Sequence, residues 1–313
     1  MLARLQQFIT ACLLAASVGW LAYFYDSSPR LAILGALLIV LGYIGFLGIE
    51  FLLLRHINKT DLAPLATPSE LLKAWLGETL VAPRIFCGRQ PFRANAVPDN
   101  LAADSVVKGR RGVVFVHGFF CNRGFWTPWL KRLQGSGHAF VALSLEPVFG
   151  SIDEYTPQIE AAVNQVTLAS GLPPMLVCHS MGGLAARAWL QTMKAEARVH
   201  HVVTIGTPHS GTWLARFSHG LNGMQMRLAS DWQRSLDLDM PPNRHTLFTC
   251  WYSNSDNIVF PTSTATLRGA DNRLVRGVAH VQMAFEQQVI DHTLDLITNA
   301  GIPAASGPRM LSG

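Results

Sequence analysis

A serine between an apolar strand pattern and a helical pattern is the strongest reactive candidate in the sequence. Residues 175–183 read Met-Leu-Val-Cys-His-Ser-Met-Gly-Gly. A sharp turn between a strand and a helix exposes the hydroxyl of a serine at its apex, as a nucleophile requires. Ser180 is therefore the candidate nucleophile, although a serine before a helix is also a common N-cap. Cys178 is nucleophilic by type, but we expect it to be buried beneath the turn and inert.

A second strand ends in the sequence HGFF at residues 117–120. The glycine lets the chain bend after the strand, so that the backbone N–H of Phe119 points toward Ser180. Together with the N–H of Met181, it forms a predicted oxyanion hole, in which one donor typically contributes about 10²–10³ in rate. We interpret His117 as a structural hydrogen-bonding residue rather than a base, because it belongs to this loop.

A serine hydroxyl needs a base, and the base needs a carboxylate that fixes its tautomer. Of the eleven histidines, only two follow the last predicted strand, His280 and His292. His280 lies in the loop before the final predicted helix, whereas His292 falls within that helix beside Asp291. His280 is therefore the predicted base.

The predicted acid is Asp256, which lies just past the preceding strand. It gives the chain order Ser, Asp, His expected of this sheet topology. Asp271 is the alternative acid, although it comes before a strand rather than after one. Asp256 is alternatively a turn residue that caps its own loop.

The elements around these residues predict an α/β fold, a mostly parallel sheet with helices on both faces. Strands are predicted at residues 113–116, 140–145, 175–178, 201–205, 247–252 and 274–278. Helices are predicted at residues 126–133, 155–169, 182–194 and 281–297. Such sheets bind ligands beyond the carboxyl ends of their strands, which is where the reactive candidates fall.

The sequence resembles the bacterial lipase and esterase branch of the α/β-hydrolase family over approximately residues 110–297. The resemblance rests on HGFF at 117–120, CHSMGG at 178–183, GTPHSGT at 206–212, the Asp256 loop and the His280 loop. It implies that Ser180 attacks an ester carbonyl, His280 transfers the proton and Asp256 orients the imidazole. Cys178 stands where the family more often has glycine. No cofactor is predicted, and no dense cluster of oxygen ligands indicates a metal.

Two long uncharged segments open the chain, at residues 8–25 and 31–49. At 1.5 Å per residue each extends roughly 27–29 Å, close to the thickness of a bilayer core. They predict a transmembrane hairpin over residues 1–57. The alternative for the first segment is a cleaved signal peptide, but no small-residue cleavage site follows it.

The remaining chain is predicted to form one catalytic domain. Residues 58–66 are a polar linker, and the α/β-hydrolase domain is predicted at 67–300, with a flexible tail at 301–313. A helix is expected to begin at the capping-box sequence of residues 67–70 and to run to about residue 80.

Composition and charge define the expected partners. Hydrophobic residues make up 49% of the 313 residues and charged residues only 14%, against about 25% charged in typical soluble proteins. The net charge of +5 fits an anionic bilayer, and the aromatic residues do not alternate with basic ones as a nucleic-acid surface requires.

The hairpin is flanked by Arg4, Arg55 and Lys59. By the positive-inside rule, both of its ends, and the catalytic domain, are predicted on the cytoplasmic side of the inner membrane. The five cysteines show neither metal-ligand nor disulfide spacing, so reduced thiols are expected.

The longest insertion, about residues 207–245, is predicted to be a lid or cap. Apolar residues recur in it on helices that are expected to break near Gly220 and Gly223. Such a stripe usually means core packing, whereas above the site of a membrane-tethered hydrolase it forms a lid that opens against lipid. The predicted lid and acyl-binding residues are Phe120, Trp213, Phe217, Leu221 and Met224.

The predicted function is a membrane-anchored serine hydrolase that cleaves lipid or other acyl esters through an acyl-enzyme. An acyltransferase or a thioesterase would use the same residues. A membrane scaffold with a hydrolase fold but no turnover is the alternative of a different class, and it has no need of Ser, Asp and His together.

Overall fold

Helices and strands alternate along the part of the chain that the computed structural model describes, residues 1–101, 107–238 and 244–299. The strands are β1 (Val113–Val116), β2 (Phe140–Ala142), β3 (Met175–His179), β4 (His201–Ile205), β5 (Phe248–Ser253) and β6 (Asp271–Val275). The helices are α1 (Leu2–Phe24), α2 (Pro29–Ile57), α3 (Pro68–Pro83), α4 (Gln90–Phe92), α5 (Thr127–Leu133), α6 (Thr156–Ser170), α7 (Met181–Met193), α8 (Leu221–Gln225), α9 (Asp231–Leu238), α10 (His280–Met283) and α11 (Gln287–Asn299). The tail predicted at 301–313 and residues 239–243 of the predicted insertion lie outside this part.

The six strands form one parallel sheet in the order β2-β1-β3-β4-β5-β6. Every residue of β1 and β3 is buried, as expected of parallel strands covered on both faces. Val114 and Val116 pack in a core with α6 and α7 on one face, while Val113 and Phe115 pack with α5 and α11 on the other. The predicted α/β fold is confirmed.

Two element predictions near the end of the chain were wrong in their bounds. The last strand covers Asp271–Val275 rather than residues 274–278, because an exposed edge strand carries polar side chains and gives no apolar run. The helix predicted at 281–297 is two helices, α10 and α11. His280 is therefore the first residue of a short helix rather than a loop residue.

The first two helices form an antiparallel hairpin. They join at residues 25–28, where the Ser28 hydroxyl accepts a hydrogen bond from the N–H of Leu31. Across the hairpin, the indole N–H of Trp20 donates to the carbonyl of Leu31, and the hydroxyl of Ser17 donates to that of Ala36. Both helices are long and apolar enough to cross a membrane.

The segment between the hairpin and α3 is attached to the rest of the chain. Asn58 donates to the Thr262 hydroxyl over 2.8 Å, and the carboxylate of Asp61 accepts the N–H of Ser263 over 2.8 Å. The predicted capping box of α3 is present, since Thr67 and Glu70 exchange hydrogen bonds between side chain and backbone. Asn58 and Asp61 of the predicted linker therefore attach the end of the hairpin to the segment that follows β5.

Candidate active site

Ser180 lies between β3 and α7 in a backbone conformation that serine rarely adopts, with φ of 54° and ψ of −128°. Its N–H donates to the carbonyl of Ile205 over 2.9 Å, and its carbonyl accepts the hydroxyl of Thr207 over 2.8 Å. A non-glycine residue in such a conformation costs of order 1–3 kcal/mol and persists only where its neighbours fix it. Ser180 stands at the N-cap position, but its side chain makes no capping hydrogen bond. The alternative interpretation, a helix N-cap, is therefore right about the position of Ser180 but not about its side chain.

His280 and Asp256 form a direct pair. Their Nδ1 and Oδ2 atoms are 2.9 Å apart, and both residues are buried. The other oxygen of Asp256 accepts the N–H groups of Ile258 and Val259, at 2.9 and 2.8 Å. The carboxylate is thus held in place, and it fixes the tautomer with the proton on Nδ1.

The environment of His280 raises its pKa above the usual value. Burial acts in the opposite direction, since it disfavours the imidazolium. The charge of Asp256 and its hydrogen bond outweigh burial, with smaller contributions from the carboxylates of Glu78 and Glu50. An imidazole in this setting is a stronger base than a free one.

The serine and the His–Asp pair meet at the carboxyl edge of the sheet. The N–H of Ser180 bonds to the residue just before Gly206. Gly206 has φ of 59°, and a Cβ atom on it would lie 3.1 Å from both Asp256 Oδ2 and His280 Nδ1. His179, next to the serine, bonds through Nε2 to the carbonyl of His280 at 3.2 Å. No hydrogen bond joins Ser180 Oγ to His280 within the described residues, and such bonds often tighten only when substrate is bound.

The loop after β1 lies over the serine. A Cβ atom on Gly118 would approach the Cβ of Ser180 to 2.7 Å. His117 uses both ring nitrogens here, since Nε2 accepts the N–H of Leu145 at 2.9 Å and Nδ1 donates to the carbonyl of Gly118 at 2.9 Å. Burial lowers the pKa of His117 to about 4. His117 is thus a neutral structural residue, as predicted.

The backbone N–H groups of the two predicted oxyanion donors, Phe119 and Met181, belong to the segments that adjoin Ser180. In the described part of the chain, neither the N–H of Phe119 nor that of Met181 donates to a protein acceptor. Met181 is the first residue of α7, where unpaired N–H groups and the helix dipole favour negative charge. Phe119 immediately follows Gly118, which contacts the serine.

Three aromatic rings lie close together at the loop after β1. Phe119 and Phe120 each lie near Phe149, with ring centroids 5.8 and 6.3 Å away. Phe149, in the loop after β2, is about half exposed, and sequence analysis missed it. A single phenylalanine in an irregular loop has no periodicity that could reveal its partners.

The predicted acyl-binding residues divide into two groups. Phe120 belongs to the aromatic group, whereas Trp213 contacts the rings of Phe217 and Phe260. Phe217, Leu221 and Met224 are exposed in the insertion. The insertion bends at Gly220 as predicted, but Gly223 lies inside α8, so the second predicted break was wrong.

Polar contacts hold the insertion against the loop that follows β2. Asn222 donates to the carbonyl of Val148 over 2.9 Å, and the side chain of Gln225 accepts the N–H of Ile152 over 2.8 Å. Its first residues also reach the Asp256 loop, because the hydroxyl of Thr212 donates to the carbonyl of Ile258.

Two buried carboxylates near His280 were also missed. Glu78, on α3, accepts the N–H groups of Val281 and Gln282 at 3.1 and 3.0 Å, and burial raises its pKa to about 7. Glu50, on α2, accepts a hydrogen bond from Asn257. Nothing in their spacing signals a link to residues about 200 positions later in the chain.

Cys178 is buried beneath the serine turn, as predicted. Burial raises the pKa of its thiol far above the usual value, so the thiolate nucleophile is not available. No group of three or more His, Cys, Asp or Glu side chains that could hold a metal occurs among the residues described.

A parallel sheet with a positive-φ serine at a strand–helix turn, and a His–Asp pair beyond neighbouring strands, is the architecture of the α/β hydrolases. Residues 113–299, more than half of the chain, match the family "Alpha/beta hydrolase family". The chain belongs to this family, and the resemblance found in the motifs is confirmed.

One relative in sequence and two proteins of similar structure are lipases. A triacylglycerol lipase of Burkholderia plantarii is 35% identical over 132 residues, which cover 39% of this chain and 36% of the lipase. The match thus spans about a third of that relative. The mature Bacillus licheniformis lipase BlEst2 has a similar structure, with a TM-score of 0.54, 18% identity, and coverage of 61% of this chain and 93% of that one. Aspergillus fumigatus lipase B is also similar, with a TM-score of 0.50 and 20% identity, and with coverage of 58% of this chain and 48% of that one. These structural likenesses concern the fold.

Proposed function

We propose that the protein is a membrane-anchored serine hydrolase of carboxylic esters, with Ser180 as nucleophile, His280 as base and Asp256 as its orienting acid. The observation that carries the proposal is the 2.9 Å contact between His280 Nδ1 and Asp256 Oδ2, at the sheet edge where Ser180 adopts a positive φ. A purely structural role for Ser180, His280 and Asp256 would not require the three side chains to lie together.

The proposed reaction proceeds through an acyl-enzyme. Ser180 Oγ attacks the ester carbonyl carbon while Nε2 of His280 takes the hydroxyl proton. The N–H groups of Phe119 and Met181 stabilise the oxyanion of the tetrahedral intermediate. His280 then returns the proton to the leaving alcohol, which yields the acyl-enzyme. Water repeats these steps and releases the carboxylic acid, and Asp256 stabilises the imidazolium in both halves.

Lipid esters are the substrate class that the surface supports best. The exposed rings of Phe119 and Phe149 offer apolar contact beside the oxyanion loop, and Phe217, Leu221 and Met224 add an exposed apolar face on the insertion. We assign this second face to a lid that contacts lipid. The triacylglycerol lipase relative favours the same substrate class.

Membrane anchoring is supported by apolar surface on three helices. The hairpin exposes large apolar side chains along both of its helices. On α3, Leu72, Leu76 and Leu80 are about half exposed at a spacing of four residues, which places them on one face. Trp75 of α3 donates to the carbonyl of Ile44 in α2 over 3.0 Å. The leucine face therefore continues the apolar surface of the hairpin.

The basic residues at the ends of the hairpin support one orientation. Gln7, near the start of α1, donates to the carbonyl of Pro91, and Asn58 bonds to Thr262, so both hairpin ends lie beside the hydrolase fold. Arg4 and Arg55 flank these ends. By the positive-inside rule, the catalytic domain faces the cytoplasm at the inner membrane.

Product analysis with the full chain in detergent micelles tests the activity. With dioctanoylglycerol as substrate we expect free octanoic acid, and we expect Ser180→Ala to lower its rate by at least about 10³-fold. Octanoyl esters formed from added ethanol at the expense of the acid would indicate an acyltransferase instead. A folded wild-type chain without turnover of dioctanoylglycerol, p-nitrophenyl butyrate or octanoyl-CoA would favour the scaffold.

A further inference from the structure

Each of the two N-terminal helices carries one buried polar side chain that contacts a loop of the candidate active site. These residues are Gln6, on α1, and Glu50, on α2. Glu50 is the sole charged residue between Arg30 and Arg55. A buried charge or amide on an apolar helix is costly unless it is paired. The partners of both side chains lie in the loops that hold the reacting groups.

Glu50 is linked to His280 through Asn257. Oε2 of Glu50 accepts the side-chain N–H of Asn257 over 2.6 Å, and the side-chain oxygen of Asn257 accepts the N–H of His280 over 3.2 Å. A carboxylate only accepts hydrogen bonds, so it fixes which end of the Asn257 amide faces α2. The amide oxygen is then left for His280. Because Asn257 directly follows Asp256, this link also sets the position of the base relative to its acid.

The neighbouring helix α3 also holds the backbone around His280. Glu78 holds the two N–H groups that follow the N–H of His280, those of Val281 and Gln282. Three consecutive N–H groups are therefore held by side chains, one of them through Glu50. An apolar cluster joins the same elements, with Phe51 and Leu54 of α2 packed against Ala279.

Gln6 contacts the opposite side of the site. Its Nε2 donates to the carbonyl of Phe120 over 3.2 Å. Phe120 has φ of 55° and directly follows Phe119, the proposed oxyanion donor. A hydrogen bond to this carbonyl helps to hold a loop conformation that a phenylalanine does not adopt by itself.

We propose that Gln6 and Glu50 are positioning residues, which hold the oxyanion loop and the backbone of His280, so that the N-terminal helices are part of the catalytic apparatus and not only its anchor. The proposal rests on the proposed function, since it assigns these residues an effect on the chemistry of Ser180. Both residues lie just outside the uncharged segments 8–25 and 31–49. The reaction centre therefore sits where the hairpin leaves the bilayer.

Kinetics of full-length variants with p-nitrophenyl butyrate in detergent micelles test the role of Glu50. We expect Glu50→Ala to lower kcat about 10- to 100-fold with little change in KM, because small displacements of a reacting group act on the transition state. Glu50→Gln keeps an acceptor for Asn257, so we expect kcat within about threefold of wild type.

The pH profile separates positioning from simple stabilisation. The charged and titratable groups that act on His280 are Asp256, Glu78, Glu50 and His179. Glu50→Gln removes one negative charge, so the pH at which kcat/KM is half-maximal should fall. Gln6→Ala should lower kcat about tenfold, since it weakens an oxyanion donor, and should leave that pH unchanged.

Two matched control residues lie on α1 or directly after α2, and they bond to residues that hold neither His280 nor the proposed oxyanion donors. Gln7 donates to the carbonyl of Pro91, and Asn58 bonds to Thr262. Gln7→Ala and Asn58→Ala should retain kcat and the pH profile of wild type, whatever they cost in thermal stability.

The outcomes distinguish this proposal from the proposed function. Wild type that neither hydrolyses the ester nor reacts with a fluorophosphonate would overturn the proposed function itself. An active wild type with Gln6→Ala and Glu50→Ala indistinguishable from the two controls would overturn the positioning role. If Glu50→Ala fails to fold, Gln6→Ala decides, and a kcat of that folded variant equal to that of the two controls would overturn the positioning role.

Discussion

At the scale of single residues, the central feature is a histidine whose basicity is set by its surroundings. Burial would lower the pKa of His280, but Asp256 and the more distant Glu78 and Glu50 raise it instead. A base must be unprotonated to accept the serine proton. The hydrolysis rate should therefore rise with pH through a pKa above 6.5, the usual value for histidine.

Asp256→Asn tests this electrostatic role. The change removes the negative charge and presents the wrong hydrogen-bonding partner to Nδ1, so kcat should fall about 10⁴-fold. The residual activity should titrate at lower pH than in wild type. Initial rates between pH 5 and 9 measure both effects, and a variant with wild-type kcat would rule out Asp256 as the orienting acid.

Glu78 makes the stability of the folded protein depend on pH, because burial raises the pKa of its carboxyl group. Its pKa is about 7 in the folded protein, against 4.5 ordinarily. Below pH 4.5 the carboxyl is protonated in both states. Between pH 4.5 and 7 the unfolded chain loses the proton while the folded protein keeps it, so the free energy of unfolding falls by about 3 kcal/mol. Above pH 7 both states are ionised and this effect is constant.

Glu78→Gln should therefore flatten the loss of stability between pH 4.5 and 7. The variant has one acceptor oxygen where the carboxylate has two, so it should be less stable than wild type at pH 4.5, and this difference should shrink as the pH rises to 7. The informative quantity is the slope, measured as the thermal unfolding midpoint in detergent at several pH values. A slope equal to that of wild type would mean that Glu78 titrates normally.

At the scale of secondary-structure elements, the close approach of β1 and α7 fixes the serine turn. A Cβ atom on Gly182 would lie 2.4 Å from the carbonyl oxygen of Val116. At Gly220, in the insertion, the nearest atom would be at 3.5 Å. A methyl group would therefore collide with backbone at Gly182 but would make only an ordinary contact at Gly220.

Gly182→Ala should lower the free energy of unfolding by about 1–3 kcal/mol, because backbone must move to admit the methyl group. It should also lower kcat, since the turn carries the nucleophile. Gly220→Ala should change both by little. Chemical denaturation and ester hydrolysis provide the measurements, and equal effects of the two substitutions would contradict the close packing at this turn.

The elements also show what the sequence could predict. Buried parallel strands, the serine turn and the order of Ser180, Asp256 and His280 give local signals, and these appear in the structure close to the predicted positions. The edge strand β6 was misplaced because its first residues are polar. Glu50 and Glu78 could not be found, because their role depends on contacts with residues about 200 positions away.

At the scale of the whole molecule, the hairpin and the hydrolase fold share contacts from both hairpin ends. Gln6 and Glu50 reach the catalytic loops, and Asn58 and Asp61 fix the segment that follows α2. The central parts of α1 and α2 remain apolar and exposed. Such a surface is expected to lie in lipid.

The full chain should therefore remain with the membrane fraction after washing with alkaline carbonate or high salt, and should be released by detergent. A peripheral protein held by charge would be released by salt, since screening weakens ionic attraction. A cytoplasm-active fluorescent reporter at the C-terminus should be active. Release by carbonate would contradict the spanning hairpin, and periplasmic activity of a reporter would contradict its orientation.

The most direct test is covalent labelling of the serine in the intact protein. A fluorophosphonate reacts with an activated serine hydroxyl, and its phosphonyl oxygen would lie between the N–H groups of Phe119 and Met181. We predict one stoichiometric adduct, assigned by mass spectrometry to the peptide that contains Ser180, and no labelling of the folded Ser180→Ala variant. Undiminished labelling of that variant, or an adduct on a different residue in wild type, would contradict the assignment of the nucleophile.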